Sequence, residues 1–230
     1  MKKFWLFNKV KNAEGEVVER ELRLEGVLGE DSWFYDTTSP KEFRQELFAE
    51  TGDVKVWINS PGGDVFAGTE IYTMLKEYPG KVTVLIDALA ASAASIIAMA
   101  GDEVCISPVG MMMIHNPYTM AWGDSAEMLR VKRMLDEVKE AGINAYEMKT
   151  RQPRQRIAKM MDEDTWMNAG KVLELGFADK ILYSNAEQDE QNKAAAFAYS
   201  PNTIWNKIIK KATYNPELLY DRLNLLKKLL

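Results

Sequence analysis

Residues 54–76 have the sequence VKVWINSPGGDVFAGTEIYTMLK, and this stretch decides the fold class. Its start, residues 54–58, is a compact apolar run that predicts a buried β-strand. The strand leads into a glycine-rich turn at residues 59–63, and a helical pattern follows over residues 65–76. A strand, a tight turn and a helix in this order are the first part of a βαβ unit, so the stretch predicts an α/β protein.

The alternation of strands and helices continues on both sides of this unit. A strand or a hairpin is predicted at residues 17–28, and strands are predicted at residues 54–58, 81–86, 103–106, 111–114 and 177–183. Helices are predicted at residues 40–49, 65–76, 92–100, 124–149 and 153–161, with a short one after Asn168. The first helix would have Ser39 as its N-cap and Pro40 at its first position. Parallel βαβ units with right-handed crossovers are therefore expected.

Composition and charge exclude several classes of function. The chain has 230 residues, of which 47% are hydrophobic, and its net charge of −5 argues against nucleic acid as the main partner, a role that needs a basic face. The single cysteine, Cys105, lies in an apolar run and is interpreted as a core residue. One cysteine and one histidine cannot build a disulfide framework or a Cys/His zinc site, whereas carboxylate metal sites stay open.

Neither a secretion signal nor a membrane span is expected. Residues 1–8 mix lysine with aromatic residues and lack the apolar core and cleavage site of a signal peptide. The most apolar stretch, residues 88–100, is too short to cross a bilayer. The sequence thus predicts a cytoplasmic protein without a membrane partner.

The composition changes after Tyr183. Residues 185–203 are interpreted as a linker, and residues 204–230 as an amphipathic helical tail that is interrupted at Asn215-Pro216. The tail is expected to dock on the body or on a neighbouring subunit, or to recruit a partner. Residues 1–184 would then form the main domain.

Three segments contain the groups that nucleophilic amide hydrolysis needs: a hydroxyl, a base and N–H donors for an oxyanion. The turn at residues 59–63 has two glycines that allow close backbone approach, Ser92 precedes a helix, and His115 is the only histidine of the chain. Each has a simpler explanation when taken alone. The glycines can make a tight turn, Ser92 can cap an alanine-rich helix, and His115 can be structural.

Together, in this order, the segments resemble the proteolytic subunit of Clp protease. The resemblance is carried by Ser60-Pro61-Gly62-Gly63, Ala90-Ala91-Ser92, Met113-Ile114-His115-Asn116-Pro117 and residues 174–179, and it covers roughly residues 20–183. It implies a crotonase-like α/β fold that assembles into rings enclosing the active sites. The chain departs from the family at Ala93-Ala94, where Met-Gly is usual.

The resemblance also implies the chemistry of a serine endopeptidase. Ser92 would be the nucleophile and His115 the general base, with the N–H groups of Gly63 and Ala93 as the oxyanion hole. For the acid of the triad we predict Asp162, with Asp164, or no acid at all, as the alternatives. No metal or organic cofactor is expected, and any ATP dependence would belong to an unfoldase partner, because the chain lacks a phosphate-binding loop.

The remaining expectations concern assembly and substrate. The helix at residues 124–149 resembles the handle through which two rings of the family meet. The lack of the usual N-terminal docking loop and the added tail look like the head-maturation (prohead) protease of tailed phages, which would process capsid or scaffold proteins. Two alternatives remain: a non-catalytic ring or scaffold subunit, and a crotonase-type acyl-CoA enzyme.

Overall fold

The computed structural model describes residues 3–11, 13–14, 17–29 and 38–184. The strands in these residues are β1 Trp5–Lys11, β2 Val17–Leu28, β3 Val54–Gly63, β4 Val82–Ala91, β5 Glu103–Ile106, β6 Met111–Ile114, β7 Thr165–Asn168 and β8 Lys180–Ile181. The helices are α1 Thr38–Phe48, α2 Val65–Glu77, α3 Ala93–Ala98, α4 Ser125–Thr150, α5 Arg154–Asp162 and α6 Ala169–Glu174. The α/β class predicted from the sequence is confirmed. The predicted linker and tail, residues 185–230, lie outside the described residues.

The sheet is parallel at its centre and antiparallel at two places. Strands β2, β3, β4, β5 and β8 follow one another in parallel, and β1 pairs antiparallel with β2 at one edge. Strand β4 has two successive neighbours on one side: its first half pairs with β5, and its last residues pair with β6. Strand β6 in turn pairs antiparallel with β7. This fork brings the ends of β4 and β6 together.

The core lies between the sheet and the helices that cover it. Helix α2 buries Ala67, Gly68, Ile71, Met74 and Leu75, and all six residues of α3 are buried. Burial of apolar surface contributes roughly 25 cal/mol per Å² to folding. Helix α3 is therefore packed on all sides, and it begins at Ala93, directly after Ser92.

The strands differ from their predicted limits at several points. Strand β3 extends to Gly63, so residues 59–63 form the end of a strand rather than a separate turn. Strand β4 extends to Ala91, and the strand predicted at residues 177–183 is limited to β8. Strands β1 and β7 were not predicted. Helix α1 begins at Thr38, which places Ser39 inside the helix and not at its N-cap.

Helix α4 has two halves with different surroundings. Asp124 is the N-cap of this helix, because its side chain accepts a hydrogen bond from the Glu127 N–H. The second half buries Ile143 and Tyr146 against the body. The first half leaves large apolar side chains exposed, including Leu129 at 58%.

Candidate active site

The fork of the sheet places Ser92 beside His115. Ala91, the last residue of β4, is in register with Met113 of β6. Ser92 follows the end of β4 and His115 follows the end of β6, so both residues emerge at the same end of these parallel strands. The Ser92 Oγ lies 2.7 Å from the His115 Nε2, a hydrogen-bonding distance. Two residues that are 23 positions apart in the sequence thus form a hydroxyl–imidazole pair.

Ser92 occupies a backbone conformation that is rare for a residue with a side chain. Its φ is 54° and its ψ is −128°, and its side chain makes no capping hydrogen bond to α3. The interpretation of Ser92 as a simple helix cap is therefore not supported. A residue in a strained conformation at a strand-to-helix turn is common at functional sites.

Three contacts hold this conformation. The Ser92 N–H donates to the Met113 carbonyl at 3.0 Å, and the Ser95 Oγ donates to the Ser92 carbonyl at 2.6 Å. The buried Ser95 Oγ also lies 2.8 Å from the hydroxyl of Tyr146, a fully buried residue of α4. Ser92 is thus fixed from the adjacent strand and from the helix layer behind it.

The glycines at the end of β3 allow the backbone to approach Ser92 closely. Gly62 has a φ of 93°, and a Cβ at this position would lie 2.6 Å from the Ser92 Cβ. The buried Ser60 fixes this segment, because its Oγ donates to the Gly26 carbonyl at 2.6 Å and accepts the Gly62 N–H at 3.1 Å. No residue with a side chain fits at Gly62 without displacing the nucleophile.

One backbone N–H group lies next to Ser92. The Ala93 N–H belongs to the first residue of α3 and has no partner within the helix. The Ala93 nitrogen is also 3.0 Å from the position that a Cβ on Gly62 would occupy. The backbone of Gly63 is in register with Leu28 of β2, and the next N–H, that of Asp64, donates to the Leu28 carbonyl. The roles of Gly63 and Ala93 as oxyanion-hole donors stay a prediction.

The imidazole of His115 is partly buried, and this sets its protonation. Burial lowers the pKa of His115 below its ordinary value, and the negative charge of Asp164 offsets part of this effect by raising the pKa. The net shift is downward, so the ring is neutral near pH 7 and can accept a proton. The ring also contacts Tyr118 edge to face, with a distance of 5.6 Å between centroids.

The register of β6 and β7 brings His115 and Asp164 to neighbouring positions in the chain fold. Ile114 of β6 is in register with Thr165 of β7, so the next antiparallel pair in sequence is His115 and Asp164. Asp164 itself has a φ of 47°, which marks a sharp entry into the strand. Asp164 is also the carboxylate whose charge acts on His115.

Asp162 lies at the end of α5 and has other partners. Its Oδ1 accepts hydrogen bonds from the Asn116 Nδ2 at 2.9 Å and from the Lys139 Nζ at 2.5 Å. Among the described residues, no carboxylate forms a hydrogen bond or an ion pair with the His115 ring. The structure thus brings Ser92 and His115 together, with Gly62 and Ala93 beside Ser92, and it places Asp162 against the residue after His115. The short strand β7 was not predicted, and its pairing with β6 is the observation that favours Asp164.

The described residues show neither a metal site nor a membrane span. Within residues 38–184 and the described N-terminal segments, no three His, Cys, Asp or Glu side chains are grouped so that they could hold a metal ion. In the same part of the chain, no helix combines the length and the apolar character that crossing a bilayer requires.

A serine hydroxyl bonded to an imidazole on an α/β scaffold is the arrangement on which serine hydrolases are built. The family follows from sequence comparison. The chain belongs to the Clp protease family, whose model matches residues 43–185. The resemblance predicted from the motifs is confirmed at the level of the family.

Individual relatives are ATP-dependent Clp protease proteolytic subunits. The subunit from Porphyromonas gingivalis is 32% identical over 135 residues, which cover 58% of this chain and 61% of that protein. Subunit 1 from Chlamydia muridarum is 31% identical over 156 residues, covering 66% of this chain and 76% of that protein. Subunit 2 from Thermobifida fusca is 33% identical over 132 residues, covering 56% and 65% respectively. The matched region thus spans between 61% and 76% of the length of these relatives.

Proposed function

We propose that this protein is a serine endopeptidase with Ser92 as nucleophile and His115 as general base. The observation that carries the proposal is the distance of 2.7 Å between the Ser92 Oγ and the His115 Nε2. The relatives named as Clp protease proteolytic subunits support peptide bonds as the target.

The proposed reaction follows from the positions of these groups. The neutral His115 Nε2 removes the proton of the Ser92 hydroxyl as Oγ attacks the carbonyl carbon of the scissile peptide. The N–H groups of Gly63 and Ala93 donate to the oxyanion that forms. The protonated imidazole then gives its proton to the leaving amine, and the acyl-enzyme is released by water in the same way.

For the acid we propose Asp164 in place of Asp162. The register of β6 and β7 and the charge that acts on His115 both support this choice. The carboxylate would stabilise the imidazolium and favour the tautomer with the proton on Nδ1. Asp162, by contrast, is engaged by Lys139 and Asn116.

The assembly and the substrate are part of the same proposal. We expect rings of this subunit that meet through α4, and the exposed apolar side chains of its first half support such a contact. Docking of an ATP-dependent unfoldase is supported by the names of the relatives, and processing of phage capsid or scaffold proteins by the resemblance of the sequence to head-maturation proteases.

Labelling with a fluorophosphonate probe tests the proposed activity. The probe reacts only with an activated serine, so we expect modification of Ser92 in the native protein and none in Ser92→Ala. Thr73→Ala is the control for loss of a hydroxyl, because the Thr73 hydroxyl is exposed and bonds only within α2, and this variant should still be labelled at Ser92. A native protein in which Ser92 remains unmodified would favour a non-catalytic ring subunit.

A further inference from the structure

A second group of polar side chains begins at the residue that follows His115. Asn116, the residue after His115, donates from Nδ2 to the Asp162 Oδ1 at 2.9 Å. The Lys139 Nζ of α4 donates to the same oxygen at 2.5 Å. One carboxylate therefore links three elements: the end of β6, the end of α5 and the middle of α4.

The amide of Asn116 is oriented by this carboxylate. Its Oδ1 is buried and has no hydrogen-bond partner among the described residues, so the Nδ2 bond to Asp162 is its anchoring contact. Rotating the amide would place its oxygen against the carboxylate oxygen, which is unfavourable. The orientation of Asn116, and with it the backbone on which His115 is placed, is thus defined.

Asp162 also stands close in sequence to the proposed acid. It ends α5, and Asp164 follows two residues later, before β7 begins. The ladder pairs of β6 and β7 end at Ile114 and Thr165, so His115 and Asp164 both lie just beyond the strand hydrogen bonds. A contact that joins the two chain segments at this point fixes one relative to the other.

We propose that Asp162, held by Lys139, is a positioning residue that fixes His115 through Asn116 and so keeps the imidazole aligned with Ser92. This inference rests on the proposed function. Asp162 would act on His115 through Asn116, and helix α4 would support the site through Lys139. An ordinary exposed ion pair has little effect on a protein. Here the Asp162 side chain is 56% exposed and Lys139 only 21% exposed. What distinguishes the pair is that the same Asp162 oxygen also accepts from Asn116, the residue after His115.

The test is the rate of fluorophosphonate labelling of Ser92 in Asp162→Ala and Lys139→Met. Because displacement of a catalytic group by about 1 Å can cost on the order of 100-fold, we expect labelling to slow by about tenfold or more in both variants. With a peptide substrate, kcat should fall and KM should stay nearly unchanged. Lys139→Arg keeps a donor and should retain most of the native rate.

Asp136→Ala is the matched control. Its carboxylate pairs with Lys132 at 2.6 Å on the same helix and lies away from the site, so the native labelling rate is expected. Asn116→Ala combined with Asp162→Ala should be no slower than either single variant, because both act through one contact.

The outcomes separate this inference from the proposed function. Native protein that is not labelled at all contradicts the peptidase activity itself. Native protein that is labelled, together with Asp162→Ala labelled at the same rate, overturns the positioning role. If Asp162→Ala does not fold, as shown by loss of its cooperative thermal transition, the labelling rate of Lys139→Met decides the test instead. Losses of labelling rate that add up in the double variant Asn116→Ala/Asp162→Ala also contradict a shared contact.

Discussion

The backbone of Ser92 has a positive φ of 54°, which a residue with a side chain adopts only at a cost of about 1–3 kcal/mol. The surrounding contacts maintain this conformation, from the Met113 carbonyl on one side and from Ser95 on the other. The residues that provide these contacts, Met113 and Ser95, are both buried. In this strained conformation the Ser92 hydroxyl faces His115. The contacts with Met113 and Ser95 maintain the conformation without taking part in the proposed chemistry.

Replacing Asp164 by asparagine tests the proposed acid through the pH dependence of the reaction. The charge of Asp164 raises the pKa of His115, so removing it lowers that pKa further, and the ring stays neutral to lower pH. The acid limb of the profile of kcat/KM should therefore move to lower pH. The rate at the optimum should fall by about 10³–10⁴-fold, because the tautomer and the imidazolium lose their support.

Glu163→Gln is the control for this measurement. It removes one negative charge at the neighbouring exposed position, where the partner is Lys159 at 3.8 Å. We expect its profile to match that of the native protein. An Asp164→Asn variant whose acid limb does not move would show that Asp164 does not interact with the imidazole.

At the scale of elements, buried Arg20 of β2 joins the sheet to the end of α1. Its guanidinium donates to the Leu47 carbonyl at 2.6 Å and to the Glu50 carbonyl at 3.1 Å, and it also bonds to the Glu46 carbonyl and the Tyr78 hydroxyl. Cations near a helix C-terminus satisfy its free carbonyls and interact favourably with the helix dipole. Arg20 is 6% exposed, so these contacts are shielded from water.

Arg20→Met should therefore lower the free energy of unfolding by about 2–4 kcal/mol, because it leaves buried carbonyls without donors. Urea denaturation followed by circular dichroism measures the change. Arg23→Met, three residues along the same strand, is the control, since its ion pairs with Glu21 and Glu25 are long, at 3.9 and 3.7 Å. We expect a loss of about 1 kcal/mol or less there, and equal losses in the two variants would contradict the role given to Arg20.

The elements that the sequence predicted well are those with strong local signals. Helix α4 has a capping aspartate and a long apolar period, and β5 and β6 are apolar runs between turns, so their limits matched closely. Strand β7 is four residues long, and its pairing with β6 depends on a partner more than 50 positions away. A local sequence pattern cannot show that β7 pairs with β6. For this reason the sequence left the identity of the acid open between Asp162 and Asp164. The Ser92–His115 pair was accessible because the motifs on both strand ends were distinctive.

At the scale of the whole molecule, the fork in the sheet and the first half of α4 have complementary roles. The fork gathers the groups of the candidate site at one edge. The first half of α4 exposes Met128 at 39%, Leu129 at 58% and Met134 at 43%, although the helix is anchored firmly by its second half. Exposed apolar side chains grouped on one element are typical of a protein contact. A second copy of the chain is the partner that the proposed ring assembly requires.

Replacing Leu129 and Met134 together by glutamine should shift the protein to smaller species in sedimentation velocity experiments. Burial of each such side chain is worth about 1.5–3 kcal/mol, and a twofold-symmetric contact counts every substitution twice. The dissociation constant of the contact should thus rise by at least about 100-fold. Glu137→Gln, an exposed position on the same helix, should leave the distribution of species unchanged. Because both substitutions lie outside the Ser92–His115 pair, a double variant that sediments like the native protein would mean that α4 does not form the contact, whatever the activity of the site.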